Sequence, residues 1–287
     1  MTILETRNLT HRYGQGSVFS HVAVNNISLQ IAAGECVGII GHTGSGKSTL
    51  IQHFNGLLKP DSGEVLVAGQ NIWASKAATK NARFQVGLCF QYPEYQLFEE
   101  TVYKDIAFGP KNMKLEKDEI DRRVRRAAEF VVLPQKLLEK SPFDLSGGEK
   151  RRAAIAGVLA MEPQILILDE PTAGLDPKGR QTIIQMVRNY QKETGKTVLF
   201  VSHSMEDIAA FAQRVLVLNR SEVAMLDTVD AVFSQREALH EMGLDVPEIT
   251  AIFHELAQRG LPVSPAVYTV RQGVQALLAA RRGGAAE

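Results

Sequence analysis

The chain has 287 residues, a length that predicts about two domains. Hydrophobic residues make up 45% and charged residues 22%, which is typical of a globular protein and excludes a disordered one. No apolar run reaches the ~18–20 residues that a membrane-spanning helix needs, which excludes a helical integral membrane protein. The 32 basic and 32 acidic side chains cancel, which argues against general nucleic-acid binding because such binding needs a basic surplus.

Strand-like and helix-like segments alternate over the first ~220 residues, which predicts an α/β fold with a largely parallel central sheet. The segments ILETRNL and NNISLQI alternate in polarity and are predicted to be strands. An apolar strand, ECVGII, follows them and leads through a glycine-rich turn into a predicted helix, KSTLIQHFNGLL. A turn at residues 60–63 then precedes the strand EVLVAG.

The middle of the chain, from about residue 101 to residue 161, is predicted to be mainly helical. The parallel core resumes with the strand QILILD, a helix from about Pro177 and the strand TVLFVSH. These strands are almost continuously apolar, as expected where helices cover both faces of a sheet. A strand pair near residue 226 closes the first predicted domain, residues 1–226. Short helical segments interrupted by Gly and Pro predict a small C-terminal helical extension over residues 227–287.

A phosphate-binding loop stands between the strand ECVGII and the helix that follows it. Its glycines let backbone N–H groups turn inward as an anion nest, and the helix directs its positive end to the same place. Lys47 supplies a cation for the β- and γ-phosphates, and the Ser48 hydroxyl can ligate Mg²⁺. The predicted ATP-binding residues of the loop are Gly41, His42, Thr43, Gly44, Ser45, Gly46, Lys47, Ser48 and Thr49.

Two carboxylates and one imidazole follow neighbouring apolar strands. In an open parallel sheet ligands gather at the carboxyl ends of the strands, so these side chains should face the phosphate loop. Asp169 is predicted to hold Mg²⁺, and Glu170 to polarise the water that attacks the γ-phosphate. His203 ends the next strand and is predicted to bind the γ-phosphate or that water.

The segment Ser146-Gly147-Gly148-Glu149 opens a helix and contains the capping box S-x-x-E. A capping box does not need two glycines, which cost helix stability, whereas a close approach to a large anion does. The chain's own phosphate loop already serves its nucleotide. We therefore expect this helix to contact the nucleotide of a second chain, with ATP held between two chains.

The order of these motifs resembles that of the ATP-binding cassette (ABC) ATPases over roughly residues 3–226. The resemblance implies a P-loop NTPase fold of the ABC type, with a mixed β core and a helical subdomain at about residues 92–162. It implies that Tyr13 stacks on adenine, that Gln91 contacts Mg²⁺ and senses the γ-phosphate, and that Asp176 lies at the dimer seam. Glu149 stands where the family most often has Gln, a departure that preserves the capping box.

The segment after Gln91 resembles the ATPase subunits of energy-coupling factor (ECF) transporters, importers of vitamins and transition-metal ions. The resemblance implies a heterodimer with a second ABC ATPase, a transmembrane coupling protein and a substrate-binding membrane protein, with no nucleic-acid partner. It also implies Mg²⁺ with ATP, a peripheral location on the cytoplasmic face of the cell membrane, and a dimerisation role for the C-terminal extension. The groove for the membrane partner is predicted from Tyr92, Pro93, Tyr95, Leu97 and Phe98.

Two alternatives remain open at this point. A soluble ABC ATPase acting in translation or nucleic-acid handling is disfavoured by the balanced charge and by the single cassette in the chain. The residues do not separate a homodimer from a heterodimer, because every half-site motif is present in this one chain.

Overall fold

The computed structural model describes residues 1–16 and 18–283, which form two β-sheets surrounded by helices. The last residues of the predicted extension, 284–287, lie outside the described residues. Within the described part, no helix combines the length and the apolar character that crossing a bilayer requires.

The smaller sheet is antiparallel and contains the two alternating segments predicted at the start of the chain. Its strands are β1 (Thr2–Tyr13), β2 (His21–Ala32), β4 (Ser62–Val67) and β5 (Gln70–Asn71), in the spatial order β2-β1-β4-β5. Tyr13 at the end of β1 pairs with His21 at the start of β2, so their side chains are neighbours across the hairpin.

The larger sheet is the predicted parallel core. Its strands are β3 (Cys36–Ile40), β6 (Val86–Cys89), β7 (Ile165–Asp169), β8 (Thr197–Val201), β9 (Arg214–Asn219) and β10 (Glu222–Thr228). The spatial order is β10-β9-β3-β8-β7-β6, and every pairing is parallel except that of β10 with β9. The residues of β3, β6, β7 and β8 are all buried, which explains their continuous apolar sequences.

The alternation of side chains along the central strands divides the apolar core between the two faces of this sheet. In β7, Ile165 and Ile167 belong to one buried cluster, while Leu166 and Leu168 belong to the other. One cluster includes the smaller sheet and the other includes the helical middle of the chain. The sheet is therefore fixed from both sides, and its carboxyl edge is a rigid base for a site.

Helices follow the strands in the predicted order. They are α1 (Lys47–Phe54), α2 (Lys76–Gln85), α3 (Val102–Asn112), α4 (Lys117–Phe130), α5 (Gly147–Leu159), α6 (Pro177–Thr194) and α7 (Met205–Phe211). The helix predicted to run to Leu58 ends at Phe54, because Asn55 caps it and Gly56 adopts a left-handed φ of +69°.

Four further helices make up the C-terminal part: α8 (Val229–Phe233), α9 (Arg236–Glu241), α10 (Glu248–Gln258) and α11 (Val270–Gly283). Phe233 and Tyr268 are buried in the same apolar cluster as the cassette's helical middle. The Thr250 hydroxyl donates to the Val267 carbonyl at 2.6 Å. These helices thus pack on the core that the rest of the chain builds.

Candidate nucleotide-binding and catalytic site

The phosphate loop joins β3 to α1 with a backbone that requires glycine. Gly44 and Gly46 have left-handed φ angles of +82° and +99°. A Cβ atom at Gly46 would lie 2.2 Å from the Ala23 carbonyl oxygen, so a larger residue does not fit there. Gly46 is also the N-cap of α1, and no side chain of the described chain caps this helix end. The first N–H groups of α1 are therefore available to an anion.

Lys47 is the buried cation of the loop. Its ammonium group donates to the carbonyl oxygens of Gly41 at 2.6 Å and His42 at 3.0 Å. Burial lowers the pKa of Lys47, and the nearby carboxylates of Glu170 and Asp169 oppose that shift. These neutral carbonyl acceptors can be exchanged for the charged oxygens of a phosphate, which attract the ammonium more strongly.

Gly41, His42 and Ser45 also belong to the phosphate loop and differ in their surroundings. A Cβ atom at Gly41 would lie 2.4 Å from the Leu218 carbonyl oxygen, so the turn packs directly on the backbone of β9. The Nδ1 atom of His42 lies 2.7 Å from the Thr43 carbonyl oxygen. Ser45 is buried, and its hydroxyl has no hydrogen-bond partner among the described residues. A buried unpaired hydroxyl at this place fits a loop completed by a ligand.

Asp169 ends β7, Glu170 follows it, and both line the cleft with the loop. Asp169 Oδ2 accepts a hydrogen bond from the Ser48 hydroxyl at 3.3 Å, and burial raises the pKa of Asp169. Glu170 has a left-handed φ of +50°, a strained conformation for a residue other than glycine, and it lines the cleft. Its Oε1 atom is buried and lies 3.4 Å from Nε2 of His203, without a hydrogen bond from any described residue.

The pKa of Glu170 is raised to about 7, first because burial disfavours its charge and also because Asp169 lies beside it. A carboxyl group with a pKa near neutrality can accept a proton from water at physiological pH. A raised pKa in this cleft is compatible with the predicted role of Glu170 toward the attacking water, which stays a prediction.

These elements enclose one cleft with a volume of about 290 Å³. It brings together most of the predicted ATP-binding and catalytic side chains, namely Thr43, Gly44, Gly46, Lys47, Ser48, Thr49, Gln91, Asp169, Glu170 and His203. His21 and Ala23 also line it, although no sequence motif predicts a role for either residue. The signal for His21 was its place opposite Tyr13 in the first hairpin, which only the strand register reveals.

The oxygen donors in the cleft suit Mg²⁺. Ser48, Asp169 and Gln91 offer a hydroxyl, a carboxylate and an amide oxygen, which are the hard ligands that Mg²⁺ accepts. Among the described residues no group of three or more His, Cys, Asp or Glu side chains forms a protein-only metal cage. The donor set thus fits a cation shared between the protein and the phosphates of a nucleotide.

Tyr13 stands beside the cleft, with 39% of its surface exposed. Its hydroxyl lies 3.4 Å from the Thr49 hydroxyl. Its ring is stacked with the His21 ring at a centroid distance of 5.8 Å, and the His11 ring meets it edge-on at 4.6 Å. Tyr13 is thus held by its neighbours with a part of its surface open to a base.

The second predicted phosphate-binding segment does not line this cleft. The Ser146 side chain accepts from the Glu149 N–H, and the Glu149 carboxylate accepts from the Ser146 N–H at 2.9 Å, which completes the predicted capping box. A Cβ atom at Gly147 would meet nothing within 4 Å, and Gly148 is similarly open. Asp176 caps α6 by accepting from the Gly179 N–H at 2.7 Å and is exposed. That these residues contact a partner's ATP and a dimer seam stays a prediction.

The five residues predicted to form the membrane-partner groove are in different environments. Leu97 and Phe98 line an apolar groove of about 520 Å³ together with residues of other segments, chiefly Leu57, Phe84, Phe90 and Phe108. Pro93 is buried at the start of a 3₁₀ turn, and Tyr95 is 84% exposed. Tyr92 has a left-handed φ of +55° and lies against the guanidinium of Arg151. The structure therefore brings only two of the five into the groove itself.

Comparison with known sequences gives a consistent result. The family described as ABC transporter matches residues 24–173. The energy-coupling factor transporter ATP-binding protein EcfA2 of Clostridium perfringens is 51% identical over 276 residues, which cover 96% of this chain and 97% of the relative. The EcfA2 protein of Caldanaerobacter subterraneus is 50% identical over 280 residues, which cover 98% of both proteins.

Solved structures resemble the fold in the same way. The structure of cbiO1 from Clostridium perfringens, described as part of the ABC transporter complex cbiONQ, is 38% identical with a TM-score of 0.75 and covers 89% of this chain and 99% of that one. A dimeric ATP-binding cassette in a post-hydrolysis state with ADP and Pi is 29% identical with a TM-score of 0.70, and covers 79% of this chain and 99% of that one.

Proposed function

The chain belongs to the ABC transporter family, and from that premise we propose that it is the ATP-binding and ATP-hydrolysing subunit of an energy-coupling factor importer. It powers the uptake of vitamins or transition-metal ions through membrane partners. The observation that carries this proposal is the cleft in which the phosphate loop, Lys47, Asp169 and Glu170 converge.

The residues of the cleft divide the work of ATP hydrolysis. The phosphate loop and Lys47 hold the phosphates, and Tyr13 stacks on the adenine ring. Ser48, Asp169 and Gln91 would hold Mg²⁺, which would neutralise phosphate charge when bound. Glu170 accepts a proton from the attacking water and fixes its direction.

His203 and Gln91 also line the cleft. His203 lies close to Glu170, where its imidazole can hydrogen-bond the γ-phosphate or the water. Gln91 lies directly before the turn that leads to the apolar groove. A change at the γ-phosphate can therefore reach the groove through a short stretch of chain.

The partners follow from the surfaces that one chain leaves open. The start of α5, with Ser146 and Gly147, contacts the ATP of a second ABC ATPase, and Asp176 lies at the seam between the two. The exposed apolar residues Val270 and Val274 of α11 support a dimerisation role of the C-terminal extension. The groove at Leu97 and Phe98 receives a segment of a transmembrane coupling protein, which a substrate-binding membrane protein accompanies.

This assignment places the chain on the cytoplasmic face of the cell membrane as a peripheral protein. A soluble ABC ATPase that acts on ribosomes or nucleic acid is not favoured, because the net charge is zero and the similar relatives are named as transporter subunits.

Co-purification from native membranes tests the proposal. A tagged chain is captured from detergent-solubilised membranes, and every accompanying chain is identified by mass. We expect a second ABC ATPase and two kinds of hydrophobic membrane protein. Recovery of copies of this chain with one membrane protein would assign it to another transporter type, and recovery with ribosomes or DNA would overturn the proposal.

A further inference from the structure

One buried arginine, which lines neither the ATP cleft nor the apolar groove, belongs to one part of the site and bonds two others. Arg151 lies in the second turn of α5 and is 3% exposed. Its Nε and Nη2 atoms donate to the two carboxylate oxygens of Glu94 at 3.0 and 2.6 Å. Its Nη1 atom donates to the carbonyl oxygens of Pro171 at 3.2 Å and Ala173 at 2.6 Å.

Arg151 and its bonding partners lie in three functional segments. Glu94 lies in the 3₁₀ turn that follows Gln91 and leads to the groove. The two carbonyl groups belong to the loop directly after Glu170. Arg151 itself lies on α5, the helix that begins at the Ser146 capping box. A single guanidinium, carried by the helix predicted to contact the partner's ATP, thus bonds both the groove turn and the catalytic loop.

Both loops that Arg151 bonds contain a strained residue. Tyr92, before Glu94, has a φ of +55°, and Glu170, before Pro171, has a φ of +50°. Residues other than glycine adopt this region only where their surroundings impose it. The Tyr92 ring also lies 5.7 Å from the Arg151 guanidinium. Arg151 therefore holds the residues that follow each strained position, Glu94 after Tyr92 and Pro171 after Glu170.

The chemistry of the contact requires an arginine. The planar guanidinium binds the Glu94 carboxylate through two parallel bonds and still donates to two carbonyl groups, which a lysine cannot do. Burial opposes the charge of Glu94, yet the pKa of Glu94 lies below its usual value, because the hydrogen bonds and the charge of Arg151 outweigh that desolvation. The pair is therefore ionised and rigid.

We propose that Arg151 is a positioning residue that makes the groove turn, the loop after Glu170 and the start of α5 move as one body, so that contact with the membrane partner sets the geometry of hydrolysis. This inference rests on the proposed function, since it assumes that the groove receives a membrane partner. It assigns Arg151 no contact with ATP.

The test compares Arg151→Lys with a matched control, Arg123→Lys. Arg123 also bonds carboxylates and a carbonyl group, those of Glu119, Glu162 and Met161, but it touches none of the three segments. ATP hydrolysis is measured for each variant in the complex, with and without the membrane proteins, and the ratio of the two rates is the stimulation factor. We expect Arg151→Lys to lower this factor at least fivefold with the KM for ATP within twofold of wild type, and Arg123→Lys to leave both within twofold.

A second variant separates positioning from simple loss of folding. Glu94→Gln keeps the size of the side chain and one acceptor oxygen, and we expect it to lower the stimulation factor about threefold. Because the two residues act through one contact, the double variant should be no worse than Arg151→Lys alone. Additive losses, or a stimulation factor within twofold of wild type for Arg151→Lys, would overturn the inference.

The control without any substitution keeps the two proposals distinguishable. A wild-type chain that membrane proteins do not stimulate contradicts the proposed function itself. A wild-type chain that is stimulated, together with an Arg151→Lys chain that is stimulated equally, contradicts only the positioning role.

Discussion

Two helices of this chain, α1 and α5, have glycine at the N-cap or in the first turn, and both are predicted to contact phosphate. The capping of their N-termini differs. The start of α1 has a left-handed Gly46 as its N-cap and no side-chain cap from the described residues. The start of α5 carries a reciprocal capping box between Ser146 and Glu149. One helix end is open to an anion, and the other satisfies its own donors.

The start of α1 can therefore bind phosphate together with other residues of the same chain. The start of α5 is predicted to meet only the nucleotide of a second chain. The amides of α1 face a cleft that also contains Lys47 and Asp169, so the groups predicted to bind the phosphates come from one chain there. The cap of α5 stabilises that helix by about 1 kcal/mol while no second chain is present. We infer that Ser146 exchanges its bond to Glu149 for a phosphate oxygen when a partner's ATP arrives.

The largest effect is expected at the catalytic carboxylate on the α1 side. Glu170→Gln keeps the shape of the side chain but cannot accept the proton of water. ATP turnover in the complex should fall by about 10³-fold, within the usual contribution of a general base, while ATP binding is retained. Turnover and nucleotide affinity are measured on the same preparation. Hydrolysis close to the wild-type rate would remove Glu170 from the mechanism.

The next effect concerns the cation of the open helix. Lys47→Ala should weaken ATP binding about 100-fold, because the bonds of a buried ammonium to phosphate are worth about 3 kcal/mol. Titration with a fluorescent ATP analogue measures the Kd. Lys150→Ala is the matched control, since Lys150 lies near the start of α5 and should leave the Kd within twofold. Equal losses in the two variants would contradict the distinction between the helices.

A buried histidine near the end of α1 should make the free energy of unfolding depend on pH. His53 is fully buried near the end of α1, and burial lowers its pKa to about 4, from the ordinary 6.5. As the pH falls below 6.5, the unfolded chain binds a proton that the folded chain refuses, so the free energy of unfolding decreases until about pH 4. The maximum loss is about 3 kcal/mol, since each pKa unit corresponds to about 1.4 kcal/mol.

Chemical denaturation of wild type and His53→Gln between pH 7 and pH 4 measures this loss. The amide of the variant can still donate to the Leu58 carbonyl, which lies 2.9 Å from His53 Nδ1, but it does not titrate. The variant should lose less stability than wild type over this range. Parallel pH curves for the two proteins would show that His53 is not the source.

The smallest effect is expected at the self-capped helix. Gly147→Ala introduces a methyl group that meets nothing in the single chain and favours the helix. The thermal stability and the Kd for ATP should therefore stay the same or improve slightly. Turnover of the assembled dimer should nevertheless fall about tenfold, equivalent to ~1.4 kcal/mol, because the methyl group stands where the partner's phosphate must approach. Unchanged turnover would mean that Gly147 does not face a nucleotide.

The sequence by itself determined the fold class and most of the residues that line the cleft. The phosphate loop is a contiguous segment whose backbone forms the anion nest, so its residues can be recognised without any tertiary contact. Asp169 and His203 follow buried parallel strands, and strand ends in such a sheet share one edge. The buried runs of β7 and β8 marked those strands correctly, because helices cover both of their faces.

Only the tertiary structure decided which residues from distant segments meet. The apolar groove joins Leu97 and Phe98 to Phe84 and Phe108, which no local pattern connects. His21 reaches the cleft through the register of a hairpin. Arg151 shares a helix face with Ile155 and Leu159, and a charge on that face was the available signal, but its partners come from two other segments. Local rules fix the conformation of neighbours along the chain, whereas long-range contacts depend on how the two sheets and the helices pack together.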